Sequence, residues 1–327
     1  AGRAEQRLYR LAVRAAASGG LTSVTARLVH AGSGEVVWSG QVDAGGGDEP
    51  AKAGIARQIA TRIASPYGVV TSDQRARRQD DPRSACLSRV YTYWFGPTEE
   101  NHALARTCLE QDFASGPPNA LALAYLAYVY LDEVRSGYNP RPGSLDRALE
   151  SALKAVEYAP ESARAHQVLM NVRFGRGEVA AAVETGRRAV ALNPIDPDVA
   201  ANFGARLVEI GRYREGLDLL ALSERIAPEV QSWRSIYTFL AHYMLGEIDH
   251  EAAAATRTPP DHPLGLMARI LVAAREGRVA DVDRHLERLR TLHPETYRNP
   301  AGVLVRRRLT GDVVARITGE LSKAGLA

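Results

Sequence analysis

A proline recurs every 34 residues in the second half of this chain. Pro160, Pro194 and Pro228 are spaced by 34 residues, and Pro294 falls close to two periods later. A fixed period of this length predicts pairs of antiparallel helices that stack side by side, because one pair alone cannot bury its apolar face. Such a stack usually presents a surface to partners instead of enclosing a catalytic centre.

Length and composition predict more than one folded unit and argue against two classes of protein. A chain of 327 residues is too long for one ordinary core. The net charge of +3, with both signs mixed along the chain, is not typical of a nucleic-acid binder. The longest apolar run, from Ala120 to Leu131, has twelve residues, and a membrane helix needs about 20. The sequence begins at Ala1 without Met and shows no signal peptide, so we interpret it as a fragment or a processed product.

Residues 1–66 predict a small α/β module. Apolar and polar residues alternate between positions 6 and 43, and glycine-rich turns interrupt the alternation twice, which predicts an antiparallel meander of three strands. Ile55, Ile59 and Ile63 recur one turn apart and predict a helix with one apolar face.

The polar residues 67–83 predict a linker, and residues 84–327 predict helical hairpins followed by a C-terminal cap. Small residues recur where paired helices would cross, and glycines recur where the hairpins would turn. The small residues are Ala127, Ala148, Ala152, Ala155, Ala182, Gly186, Ala189, Gly204 and Gly216, and the turn glycines are Gly177, Gly211, Gly246 and Gly277.

This framework resembles the tetratricopeptide repeat family over roughly residues 84 to 295. The resemblance implies a mainly α fold, a right-handed α-solenoid of about six helical hairpins preceded by the small α/β module. It also implies a protein or peptide partner, no enzymatic activity, no cofactor and no metal. The unit that ends at Pro160 carries about nine extra residues, 136–144, between its helices.

The resemblance further implies an inner groove, lined by the first helix of each hairpin. Aromatic and amide side chains in such a groove can hold an extended peptide. The alternative is that several of them only pack against the extra loop or the front module. The residues at the groove positions are Tyr128, Asp132, Arg164, Gln167, Asn171, Phe174, Glu209, Phe239, His242 and Tyr243.

Some relatives hold a terminal carboxylate with two asparagines and several cationic residues. Asn171 and Asn202 match the asparagines, but Gln167, Ser232 and Ile236 stand at the charged positions. This departure argues against capture of a terminal carboxylate.

The two cysteines, Cys86 and Cys108, each lie about eleven residues from the predicted turn at Gly96 and Pro97. An antiparallel hairpin would place them side by side, so a disulfide is geometrically possible and would indicate an oxidising compartment. The alternative is two small apolar residues in a helical seam.

Residues 6 to 65, above all the segment from Thr22 to Trp38, resemble the TolB-like module that precedes such repeats in certain bacterial sensor proteins. Those proteins carry a membrane helix and a cytoplasmic adenylate cyclase or a winged-helix regulator of the CadC type. The resemblance implies the periplasmic or other extracytoplasmic, sensory part of a signalling protein, although the first strands and helix of the module are missing from this sequence.

No motif for phosphate binding, dinucleotide binding, zinc or nucleophilic catalysis occurs in the sequence. Arg306, Arg307 and Arg308, here called the arginine run, predict a solvated helix face, with contact to an acidic partner as the alternative.

The leading hypothesis is therefore a non-enzymatic binding and signalling module. The alternatives are a stand-alone scaffold, periplasmic or cytoplasmic, and a solenoid enzyme. The sequence leaves open the ligand, the oligomeric state, any attached output domain and what precedes Ala1.

Overall fold

The computed structural model describes most of the chain and divides it into two compact units. The first unit comprises residues 1–88 with 195–197, and the second comprises the remainder. Most of the predicted linker, 67–83, lies outside the described residues. The described residues are 9–18, 21–45, 49–64, 68–70, 72–73, 82–115, 119–227 and 233–326.

The first unit contains the predicted three-stranded antiparallel sheet. Its strands are β1 (Tyr9–Ser18), β2 (Leu21–His30) and β3 (Val36–Gly45), in the spatial order β1-β2-β3. The register places Leu11 opposite Leu28 on one face. The period-two alternation therefore predicted the three antiparallel strands.

One helix, α1 (Glu49–Ala64), covers part of this sheet. Its three isoleucines pack on buried side chains of β2 and form a small core with them. The strand β1 is covered less, and Val13 on the same face is 52% exposed. The core residues are Val24, Ala26, Leu28, Ile55, Ile59 and Ile63.

Stacked helical hairpins make up most of the described chain, which confirms the predicted fold class. Paired helices pack on each other, and neighbouring hairpins pack on one another. The helix that begins at Ala120, for example, packs on those that begin at Ser144 and at Ala163. The helices of the six hairpins are α2 (Pro82–Phe95) and α3 (Glu99–Ser115), α4 (Ala120–Arg135) and α5 (Ser144–Tyr158), α6 (Ala163–Gly175) and α7 (Val179–Leu192), α8 (Pro197–Glu209) and α9 (Tyr213–Ile226), α10 (Arg234–Leu245) and α11 (Ile248–Arg257), and α12 (Pro263–Arg275) and α13 (Val279–Leu292).

Local chemistry fixes the hairpin ends as the sequence predicts. The four turn glycines adopt positive φ, for example 83° at Gly177 and 84° at Gly211, where any other residue would be strained. His262 begins α12, because its ring nitrogen accepts a hydrogen bond from the backbone N–H of Leu264 at 3.2 Å.

The C-terminal cap comprises two helices, α15 (Pro300–Arg306) and α16 (Gly311–Lys323), after the short α14 (Pro294–Arg298). Arg308 has a φ of 61°, and this left-handed conformation ends the segment that begins with α15. Leu304, Ile317 and Leu321 bury their side chains in the same core as α10 and α12.

Both cysteines are disulfide-bonded, which decides between the two alternatives for Cys86 and Cys108. The bond joins α2 to α3, as the equal distances from the turn predicted. None of the described helices combines the length and the apolar character that crossing a membrane requires.

Candidate functional site

An open cavity of about 230 Å³ lies in the second unit, on the side formed by the first helices of three consecutive hairpins. These helices are α4, α6 and α8, and the opposite wall is the end of α15 with the residues that follow it. The stacking of the hairpins accounts for this, because it turns the first helix of each hairpin toward one common side. The lining residues are Leu131, Val134, Arg135, Leu145, Asn171, Phe174, Gly175, Arg206, Glu209, Val305, Arg306, Arg307 and Arg308.

Arg206 contacts three other side chains at the centre of the cavity wall, those of Glu209, Tyr237 and Phe174. Its guanidinium forms a two-point ion pair with Glu209, at 2.7 Å and 2.9 Å, and both residues are buried. The same group donates to the Tyr237 hydroxyl at 3.1 Å and lies 5.1 Å from the Phe174 ring centroid. A planar guanidinium suits this position because it can bond in its plane and stack on rings with its faces.

Glu209 is the one carboxyl group among the five arginines that line the cavity. Burial raises the pKa of Glu209 above its ordinary value, and the charges of Arg206 and Arg307 oppose that rise in pKa. With Arg206 already bound to it, Glu209 neutralises one arginine of the cavity.

A second cluster supports the α4 side of the cavity. Arg135 pairs with Asp132 at 2.6 Å and donates to the Tyr128 hydroxyl at 3.2 Å. The other oxygen of Asp132 accepts a hydrogen bond from Tyr93 at 2.8 Å. Asp132 is therefore a buried support for Arg135, and Arg135, which the sequence analysis did not select, is the residue that reaches the cavity.

Amide side chains connect α6 to α8 behind the cavity. Asn171 donates to the backbone carbonyl of Gln167 at 3.0 Å and to the Asn202 side chain at 3.4 Å, and its own oxygen accepts from Arg206 at 3.3 Å. Arg164 and Gln167 both bond to Asp198. Arg164, Gln167 and Asn171 thus join neighbouring hairpins, and of these three residues Asn171 lines the cavity.

The arginine run lies at the cavity, where Arg306 and Arg308 are exposed, as the predicted solvated face requires, and Arg307 is half-buried. Arg308 donates to the backbone carbonyl of Gly175 at 2.7 Å, at the carbonyl end of α6, where a cation is favoured. Arg307 donates to the Tyr237 hydroxyl at 3.2 Å. The backbone turns left-handed at Arg308, two residues after the end of α15.

The predicted groove residues of α10 do not line this cavity. Tyr243 is fully buried, stacks on Phe239 with ring centroids 5.6 Å apart, and has a pKa raised by burial and by the negative charge of Glu320. Phe239 belongs to the core and borders a smaller apolar cavity that also touches Glu209. His242 bonds to Glu247 at 2.6 Å and stacks on His250.

The predicted set therefore separates into three groups. Asn171, Phe174 and Glu209 line the cavity. Tyr128, Asp132, Arg164 and Gln167 support it from behind, and Phe239, His242 and Tyr243 lie elsewhere in the helical stack. The sequence did contain a signal for the arginines that were missed, since Arg135 follows Asp132 by three residues and Arg206 precedes Glu209 by three, which places each pair on one helix face.

Among the residues described, no group of three or more histidine, cysteine, aspartate or glutamate side chains is arranged to hold a metal ion.

Comparison with known proteins identifies the fold. The Cut9–Hcn1 hetero-tetramer of the APC/C matches with a TM-score of 0.55 and 15% identity, over 74% of this chain and 45% of that chain. A tetratricopeptide repeat protein from Parabacteroides merdae matches with a TM-score of 0.45 and 13% identity, over 75% and 93%. PilF of Pseudomonas aeruginosa matches with a TM-score of 0.48 and 18% identity, over 66% and 94%.

No protein-family model matches the sequence, and no curated protein matches it. At these identities the structural likeness shows the fold alone. The TolB-like resemblance of residues 6–65 stays a prediction. The helical part of the chain has the tetratricopeptide-type fold.

Proposed function

We propose that this chain is a non-enzymatic binding module whose helical part holds a protein or peptide segment in the cavity between α4, α6, α8 and the arginine run. One observation carries the proposal: three successive hairpins, not a single helix pair, contribute polar and aromatic side chains to one open cavity. A ligand that bridges several repeats is an extended chain, and amide, guanidinium and ring groups suit its backbone and side chains.

The side chains of the cavity wall are preorganised, because they are fixed by hydrogen bonds to one another. Arg206, Glu209 and Tyr237 are buried and bonded to one another, and Asn171 ties them to the neighbouring hairpin. Preorganised walls lower the entropic cost of binding. The Cut9–Hcn1 structure is a precedent for a tetratricopeptide-type fold within an assembly of different chains.

The wider role in the proposal is the sensory or regulatory part of a membrane-anchored bacterial signalling protein, located outside the cytoplasm and not itself a nucleic-acid binder. The Cys86–Cys108 disulfide supports an oxidising location. The resemblance of residues 6–65 to TolB-like modules supports the signalling context. A stand-alone scaffold that assembles other proteins fits the helical stack and its cavity equally well.

The proposal is tested by selecting peptides from a random phage-displayed library on the immobilised chain and measuring the binding of the selected peptides by fluorescence anisotropy. Val134 lines the cavity and is 42% exposed, so Val134→Arg fills it from one wall without removing a buried contact. We expect at least a tenfold loss of peptide affinity in this variant, because the arginine occupies the volume that the peptide needs.

Val279→Arg is the matched control, since Val279 is 69% exposed at the start of α13 and is not among the cavity residues. Its affinity for the selected peptides should equal that of the unmodified chain. If the selected peptides bind Val134→Arg as tightly as they bind the control, the cavity is not the binding site. A library that yields no binding peptide would contradict the proposed function itself.

A further inference from the structure

Positive charge at the cavity exceeds what the surrounding carboxylates neutralise. Five arginines line it, together with the single carboxylate of Glu209. Arg206 is bound to Glu209, and Arg135 is bound to Asp132. The remaining three cationic groups are those of the arginine run.

No member of the arginine run has a carboxylate oxygen within 4.0 Å among the described residues. Arg307 donates to the neutral Tyr237 hydroxyl, and its Nε atom is buried without a hydrogen-bond acceptor in the described structure. Arg308 donates to a backbone carbonyl, and Arg306 is exposed and forms no hydrogen bond with a described residue. Guanidinium groups favour carboxylates as two-point partners, so three unpaired ones at one concave surface mark a site for an anion.

The location strengthens the attraction between this surface and an anionic group. The cavity wall opposite the arginine run includes apolar side chains beside its polar ones, namely those of Leu131, Val134 and Phe174. Charges beside apolar walls are screened less by water than charges on a convex surface. A ligand with a carboxylate and a short aliphatic stem would satisfy both walls at once.

We propose that the cavity binds acidic side chains of a peptide segment, with a glutamate or aspartate carboxylate held by Arg306 and Arg308. This inference rests on the proposed function and names the class of peptide that the site takes. The volume of about 230 Å³ lies below that of most small-molecule pockets, which suits one or two side chains of an extended segment.

The test uses the full chain and fluorescein-labelled octapeptides of alternating glutamate and alanine, amidated at the C-terminus, with glutamine replacing glutamate in the comparison peptide. Fluorescence anisotropy should show at least tenfold tighter binding of the glutamate peptide, and this preference should decrease as salt is added. In the double variant Arg306→Gln/Arg308→Gln the preference should fall at least tenfold.

The double variant Arg257→Gln/Arg298→Gln removes the same charge from two exposed arginines that are not among the cavity residues, and it should keep the preference. An equal loss in both double variants would overturn the inference, because net charge alone would then explain the binding. A glutamine peptide with a free C-terminus that binds as tightly as the amidated glutamate peptide would assign the site to a terminal carboxylate and would also overturn it.

The two proposals fail in distinguishable ways. Equal affinity for the glutamate and glutamine peptides, or no binding of either, overturns the anionic preference. If library-selected peptides still lose affinity in Val134→Arg, the proposed function stands without this inference.

Discussion

At the scale of single residues, one buried carboxylate organises the extra loop 136–144 of the second hairpin. The Glu133 side chain is fully buried and accepts hydrogen bonds from Ser144, from Arg106 at 2.9 Å and from Arg147 at 3.1 Å. Burial alone would raise the pKa of Glu133, but the hydrogen bonds from Ser144 and Arg106 and the nearby arginine charges outweigh it, so the pKa lies below its ordinary value of 4.5.

Glu133→Gln should lower the free energy of unfolding by about 2 kcal/mol at pH 7, because it leaves several arginines without their charged acceptor. A carboxyl group with a lowered folded-state pKa stabilises the fold fully above its unfolded pKa of about 4.5 and loses that effect as the pH falls through the folded-state pKa. The difference between the variant and the unmodified chain should therefore shrink below about pH 4.5, measured by urea denaturation.

Glu150→Gln is the control at this scale. Glu150 is 66% exposed and pairs with Lys154, one turn away in α5. Its removal should change the free energy of unfolding by less than about 0.5 kcal/mol. Equal losses in the two variants would show that the loop does not depend on the buried charge.

At the scale of helices, close crossings depend on residues without side chains. A Cβ atom on Gly204 would lie 2.9 Å from the backbone carbonyl of Gly216, which is nearer than side-chain carbons approach backbone oxygens. The repeat spacing predicted that both glycines lie at a helix crossing, because a crossing requires small residues at the same repeat positions in every hairpin.

Gly204→Ala should lower the free energy of unfolding by about 2 kcal/mol, since α8 and α9 must separate to admit the new methyl group. Gly319→Ala is the matched substitution in an exposed part of α16, where a Cβ would meet nothing within 4 Å. There the higher helix propensity of alanine should add about 0.5–1 kcal/mol. Chemical denaturation measures both, and a loss in both variants would contradict the crossing argument.

Sequence reasoning predicted the hairpins well and the cavity only in part, for a physical reason. A helix end depends on residues that are close to it in the sequence. Gly177 in a hairpin turn and Pro197 at a helix start could therefore be recognised from the sequence alone. The contact of Arg308 with Gly175 joins residues 133 positions apart and repeats nowhere, so no periodic signal predicts it. The sequence identified the arginine run, but not its position at the cavity.

At the scale of the whole molecule, the disulfide connects the fold to the proposed location. The bond between Cys86 and Cys108 closes a loop of about 20 residues, and loops of that length contribute about 3 kcal/mol by restricting the unfolded chain. Cys86→Ser/Cys108→Ser should therefore speed hydrogen exchange in α2 and α3, whereas α12 and α13 should keep their protection.

The same bond predicts the oxidation state of the cysteines in the cell. If the chain functions outside the cytoplasm, alkylating free thiols at the moment of lysis should leave Cys86 and Cys108 unmodified, because compartments outside the cytoplasm keep disulfides oxidised. A shift in mass on alkylation before reduction would show two free thiols and would contradict the extracytoplasmic part of the proposal. The peptide-binding measurements would stand, because the cavity lies between α4, α6, α8 and the arginine run and includes neither cysteine.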